Sequence, residues 1–149
     1  MESVTVEMGP FSIIKDHLTV IACGVEFTGT HVDVGNPHFV IFVPDAEAVD
    51  LQHFGPLIEH QFQGGVNVEF ATVTGPGSIR MRVWERGSGV TLACGTGACA
   101  TAAAGVSNGL VSSPCSIDMD GGSLQITCSG GTLLMRGPAH TVFEGRVEV

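Results

Sequence analysis

Cys94 stands at the head of the run Ala93-Cys94-Gly95-Thr96-Gly97-Ala98-Cys99-Ala100-Thr101-Ala102-Ala103-Ala104-Gly105, where a thiol meets the start of a helix. Alanine is the strongest helix former and no residue here is charged, so the run predicts a helix over 97–106. A helix that is apolar on every face belongs inside the protein. Its first N–H groups lack intrahelical acceptors and lie at the positive end of the helix dipole. The backbone of Gly95 and Thr96 is therefore a place for an anion. A thiol at that end is expected to lose its proton more readily than a free one, which would make Cys94 a base or nucleophile. Cys99, within the helix, is expected to pack as a small apolar group.

The other residues able to do chemistry lie upstream. A strand over 78–86 puts Ile79, Met81 and Val83 on one face and Arg80 and Arg82 on the other. The same parity turns Glu85 inward, where a carboxylate needs a partner or a task. The competing reading ends the strand at Trp84 and leaves Glu85 in solvent. Arg86 follows, then Gly87-Ser88-Gly89 as a flexible link into the cysteine helix. Gly35-Asn36-Pro37-His38 reads as a turn, in which His38 with Asn36 could serve a cysteine hydrolase or could be plainly structural. Thiol redox chemistry would want a close resolving cysteine, and Cys99 is the nearest. Proton abstraction beside a carboxylate fits better, with the N–H groups of Gly95 and Thr96 holding that carboxylate as charge develops.

These residues need a framework. Alternating or continuously apolar segments predict strands at 4–8, 18–22, 25–27, 31–34, 39–43, 67–73, 78–86, 116–119, 123–127 and 132–136, with a last strand or two over 141–149. Gly121-Gly122 and Gly130-Gly131 read as hairpin turns. Asp45 is a candidate N-cap for a short helix through about 51, and Gly55-Pro56 is expected to end it and start a second through about 60. About ten short strands and one long apolar helix predict an α+β fold: a curled, mostly antiparallel sheet wrapped around one central apolar helix, in a single domain over 1–149.

Composition limits the functions open to the chain. Its 149 residues are 44% hydrophobic with a mean hydropathy of +0.34, which excludes disorder. Fifteen acidic residues against six basic give a net charge of −9, which disfavours nucleic acid and anionic membranes as partners. Five cysteines and no signal-peptide pattern suggest a reducing compartment, the cytoplasm. No Cys-x-x-Cys or zinc-ligand spacing occurs, so no metal is expected. The uncharged stretch 87–117 holds too many Gly, Ser, Thr and Asn residues for a membrane span, and a helix enclosed by sheet explains it better.

Gly35-Asn36-Pro37-His38, Asn67-Val68-Glu69-Phe70, Val83-Trp84-Glu85-Arg86-Gly87-Ser88-Gly89 and Ala93-Cys94-Gly95-Thr96-Gly97-Ala98-Cys99-Ala100 together resemble diaminopimelate epimerase, in order and spacing. Gly137-Pro138-Ala139 and Val142-Phe143-Glu144-Gly145 are similar to its C-terminus, so the resemblance covers essentially the whole chain. The Cys-Gly-Thr-Gly element alone is shared with the proline racemase relatives. The resemblance implies a cofactor-free isomerase that interconverts LL and meso diaminopimelate, for lysine and peptidoglycan precursors, by proton exchange between two cysteines. Cys94 would be one of the two bases. Asn36, Asn67 and Arg86 would bind the distal amino-acid end, Gly95 and Thr96 the reacting carboxylate, and His38 and Glu85 would support the cysteines and the substrate amine. The chain resembles the C-terminal half alone. The N-terminal epimerase domain, with its own Cys-Gly-Asn-Gly type element, would be its partner, and without it the chain is expected to be inactive. An exposed half-site also favours a homodimer. Val90 departs from the family, which usually has Glu there. Two other readings stay open: an amino-acid-binding module or half-enzyme that pairs with a separate N-terminal chain, and a racemase of another amino acid. Arg86 with Asn36 and Asn67 suits a substrate with a second carboxylate.

Overall fold

In the computed structural model, which describes residues 2–149, apolar residues of nine of the ten strands collect around one uncharged helix. The strands are β1 (Glu2–Pro10), β2 (Ser12–Ala22), β3 (Val25–Asp33), β4 (Pro37–Phe42), β5 (Asn67–Gly75), β6 (Ser78–Glu85), β7 (Gly89–Thr91), β8 (Cys115–Met119), β9 (Gly122–Ser129) and β10 (Thr132–Ala139). The helices are α1 (Leu51–Glu59) and α2 (Gly95–Ser107), with a 3-10 turn at Ala46–Ala48. The sheet runs β1-β10-β9-β8-β6-β5-β4-β3-β2, and β7 pairs with β6 off that path. It is curled but open, with β1 and β2 as its edges. Every pairing is antiparallel except β4 with β5 and β6 with β8. Parallel neighbours need a crossover, and α1 and α2 are those crossovers.

The two helices cover opposite faces. On the inner face Val32, Val40, Ala71, Ile79, Met81 and Val83 pack with the alanines of α2. On the outer face Phe39, Ile41, Val68 and Phe70 pack with Leu51 and Ile58 of α1. Side-chain alternation thus sends neighbours on β4 and β5 to different cores. Every residue of α2 from Gly97 to Gly105 is buried, as its uncharged sequence predicts. Small residues are required there: a Cβ on Gly105 would lie 3.0 Å from both Ile79 and Val111. No helix is long and apolar enough to cross a membrane, among the described residues.

Three sequence expectations are corrected. The two short helices over 45–51 and 56–60 are a 3-10 turn capped by Asp45 and one helix, α1, capped by Asp50. Gly55-Pro56 does not break it. Gly55 lies against Trp84, where a Cβ would meet the ring at 2.4 Å, and that packing outweighs the hydrogen bond Pro56 cannot make. The link 87–89 is a tight hairpin rather than a loose connection, with Gly87 and Gly89 at positive φ and β7 returning along β6. The last strand over 141–149 does not form. β10 is already paired on both sides by β1 and β9, so a further strand has no edge there, and Val142 and Phe143 are left 87% and 84% exposed.

Candidate active site

The topology brings the start of β4, the start of β5, the end of β6 and the first turn of α2 to one place. Cys94 is the N-cap of α2, in extended conformation, and its Sγ accepts a hydrogen bond from the Gly97 N–H at 3.3 Å. The Thr96 hydroxyl lies 3.6 Å from the same sulfur. The N–H groups of Gly95 and Thr96 find no acceptor among the described residues, as the first positions of a helix predict.

A line of hydrogen bonds runs inward from this turn. Asn36 Nδ2 donates to Thr96 Oγ1 at 3.3 Å, and Asn36 Oδ1 accepts from His38 Nε2 at 3.0 Å. His38 Nδ1 then meets Glu69 Oε1 at 2.5 Å, both side chains being fully buried. Glu69 Oε2 has no hydrogen-bond partner among the described residues. His38 is therefore behind the site, with both ring nitrogens engaged, rather than on its surface. Glu85 is half-buried, accepts a hydrogen bond from Thr91 Oγ1 at 2.7 Å, and lies close enough to act on Cys94. The inward parity read from the strand holds.

Asn67 and Arg86 form a second, adjoining group. Asn67 donates to the Pro37 carbonyl at 3.0 Å and accepts from the Arg86 N–H at 2.9 Å, which ties β4 to the end of β6. The Arg86 guanidinium donates to the Gly64 carbonyl at 3.2 Å, and its stem lies over Gly65. Cys94, Thr96, Asn36 and His38 thus share one hydrogen-bonded line with Gly95 beside it, whereas the Arg86 side chain turns toward the loop at 64–65.

One electrostatic expectation is overturned. The helix terminus does not leave Cys94 acidic: burial pushes the thiol up to about 11, and the neighbouring carboxyl groups of Glu69 and then Glu85 add to it. The bonds from Thr96 and Gly97 pull the other way and do not win. Cys99, sealed within α2, is pushed up to about 12 by burial and is the small apolar group expected. Glu69 is the residue that the sequence reading missed. Burial raises its carboxyl. The signal was available: a carboxylate between Val68 and Phe70 in an apolar strand poses the same question as Glu85. Among the described residues no three His, Cys, Asp or Glu side chains stand where they could hold a metal ion.

A family model described as diaminopimelate epimerase matches residues 30–142. The chain is 48% identical to the diaminopimelate epimerase of Bacteroides thetaiotaomicron over 98% of its own length and 55% of that protein's. It is 49% identical to that of Parabacteroides distasonis, over 98% of its own length and 56% of the relative's. It therefore spans about half the length of the curated relatives it matches. Among solved structures, a probable proline racemase from Agrobacterium radiobacter with bound carbonate aligns with a TM-score of 0.73 at 16% identity, over 99% of this chain and 54% of that one. A hydroxyproline epimerase from Agrobacterium vitis with bound trans-4-hydroxy-L-proline gives 0.68 at 16% identity, over 90% and 48%. Likeness at such identity concerns the fold alone, and it is the fold of a curled sheet on a central helix.

Proposed function

The chain belongs to the diaminopimelate epimerase family, and from that premise we propose that it is one half of a cofactor-independent epimerase interconverting LL and meso diaminopimelate. In this reading residues 1–149 are the equivalent of the C-terminal domain, and the second base comes from an N-terminal domain or a separate chain. One observation carries it: the Cys94 sulfur caps a buried helix beside two N–H groups with no partner among the described residues.

The chemistry follows from that geometry. The reacting carboxylate docks on Gly95 and Thr96, where the helix dipole favours the charge that spreads onto it as the alpha proton leaves. With its thiol pushed up to about 11, Cys94 holds its proton at neutral pH and starts as the acid. It gives that proton to one face of the alpha carbon while the opposing thiolate takes the original proton from the other. The reverse direction needs Cys94 as thiolate, and the Gly97 N–H and Thr96 hydroxyl are there to receive the charge. Asn36, Asn67 and Arg86 read the distal amino-acid end, Arg86 supplying the cation for its second carboxylate. Glu85, beside the thiol, is a partner for the substrate ammonium.

Half a site cannot invert a carbon, because nothing delivers a proton to the far face. The test is alpha-proton exchange and epimerisation of diaminopimelate in D2O, with this chain alone and with the complementary half added. Turnover is expected only when both are present, and Cys94→Ser is expected to abolish it without unfolding the chain. Robust turnover by the chain alone would refute the half-site reading. Binding without any rescue of activity would favour an amino-acid-binding module, and a preference for proline or hydroxyproline over diaminopimelate would move the substrate assignment.

A further inference from the structure

The buried acid Glu69 has no part in the mechanism above, yet it ends the line of hydrogen bonds that begins at the Cys94 sulfur. The protons in that line can be assigned from its bonds. Asn36 gives its N–H to Thr96, so its Oδ1 faces His38 Nε2, and that nitrogen has to be the donor. With Nε2 protonated, the 2.5 Å contact between Nδ1 and Oε1 must hold a second proton. The pair is then neutral, either imidazolium with carboxylate or imidazole with carboxylic acid. The orphaned Oε2 selects the second form, because a bare carbonyl oxygen costs less to bury than half of a bare carboxylate. Full burial acts in the same direction, since the ionic form would take two charges out of water where the neutral form takes none.

We propose, within the two-base reading of this site, that Glu69 is a positioning residue: a buried carboxylic acid that donates to His38 Nδ1, fixes the Nε2–H tautomer, and so aims the Thr96 hydroxyl proton at the Cys94 sulfur. The Nε2–H holds the Asn36 carbonyl, the Asn36 N–H fills a lone pair of Thr96 Oγ1, and the Thr96 proton is left for sulfur. Loss of the Glu69 proton reverses the line. His38 would carry its proton on Nδ1, Asn36 would have to turn its N–H toward Nε2, and the Thr96 hydroxyl would be drawn to the Asn36 carbonyl. A thiolate at Cys94 would then lose a donor. The other titratable groups facing the pair are Glu85 on β6, Cys94 at the head of α2 and His31 on β3. Glu85 opposes a second negative charge and so favours the acid form.

Nitrogen-15 NMR of histidine-labelled protein tests the assignment directly. His38 is expected to be protonated on Nε2 and bare on Nδ1 at neutral pH. In the assembled enzyme, Glu69→Met is expected to lower kcat roughly tenfold or more while KM stays within about twofold, as for loss of a group that orients another. Glu69→Gln, whose amide N–H can stand in for the acid, is expected to fall between that variant and the parent. A proton on His38 Nδ1, a Met variant as fast as the parent, or a Gln variant no better than Met overturns the proposal. If the Met variant does not fold, the parent spectrum and the Gln variant still decide. An assembled protein that fails to epimerise diaminopimelate sinks the proposed function, and the nitrogen spectrum then judges the tautomer independently.

Discussion

Gly97 is where the helix, the thiol and the buried acid meet, and Gly97→Ala puts the packing of the site to a quantitative test. Its φ is not positive, so backbone freedom is not why glycine is there. Space is. A Cβ at this position would stand 2.9 Å from Glu69 Oε1, 3.1 Å from Cys94 Sγ and 3.3 Å from Cys94 Cβ. An ordinary contact begins near 3.4 Å, so the carboxyl would have to withdraw by about half an ångström. It cannot do so freely, because the same oxygen is 2.5 Å from His38 Nδ1. The sulfur can rotate away, but it then gives up the Gly97 N–H.

Two effects compete in that variant. Helix propensity alone would make alanine about 1 kcal/mol more stable than glycine inside a helix. Overpacking a filled site costs roughly 1–3 kcal/mol. The crowded groups are fixed from behind, so the second effect should win, and the variant should be less stable by up to about 2 kcal/mol in urea denaturation. Reactivity should fall as well. The sulfur has to move by about 0.3 Å and gives up the Gly97 N–H, so kcat in the assembled enzyme should drop measurably, though by less than the roughly hundredfold that a full ångström of misplacement costs. A variant that gains the full propensity term, with iodoacetamide labelling of Cys94 and kcat unchanged, would show that helix start, thiol and acid are not packed as described.

Alkylation of Cys94 should rise with pH along a curve centred near 11, and Glu85→Gln should move that curve down by removing a neighbouring negative charge; a midpoint at or below the ordinary 9.0 would restore the acidic thiol that the helix end suggests. Cys94 should label faster than Cys99, which is fully enclosed, and the opposite order would transfer the reactive role. Thiols raised by burial bind protons more tightly in the native state, so their contribution to stability is intact below 9.0 and is lost as pH rises toward about 11 to 12. The urea midpoint should therefore fall over that range, with a shallower slope in Cys99→Ala; a flat midpoint in the parent contradicts the burial of these thiols. Gly55→Ala should cost roughly 1–3 kcal/mol, because its Cβ would overlap the Trp84 ring, and unchanged stability with unchanged tryptophan fluorescence would disprove that contact.

What the sequence makes legible here is what depends on local pattern. The apolar helix, the alternation on β6 and the glycine-pair hairpins follow from residue order, and each has the predicted place. What it conceals depends on a distant partner. Continuous helix through Gly55-Pro56 depends on Trp84, 29 residues beyond Gly55 in the chain. The failure of 141–149 to join the sheet is decided by β1, which occupies the open side of β10 from the other end of the chain. The acidity of Cys94 is hidden for a related reason: a helix terminus is visible in sequence, but burial and acids carried on other strands are not. Glu69 was passed over because its meaning lies in His38 on the neighbouring strand, and the parallel pairing of β4 with β5 brings them together.

That pairing also bears on how such a site could accept an anion at all. The helix that offers its positive end carries no charged side chain, and the carboxyl groups that act on the sulfur are those of Glu69 and Glu85. Two carboxylates there would set their own charge against an incoming carboxylate and against a thiolate on Cys94. A neutral Glu69 removes one of those charges without giving up the hydrogen bond that holds His38. Glu85, half-buried and bonded to Thr91, stands where an ammonium would meet it. The same line of bonds that points a proton at sulfur thus leaves the helix end free to bind a carboxylate. Both outcomes require the acid to be sealed from water, which is why it lies beneath the site and not on its surface.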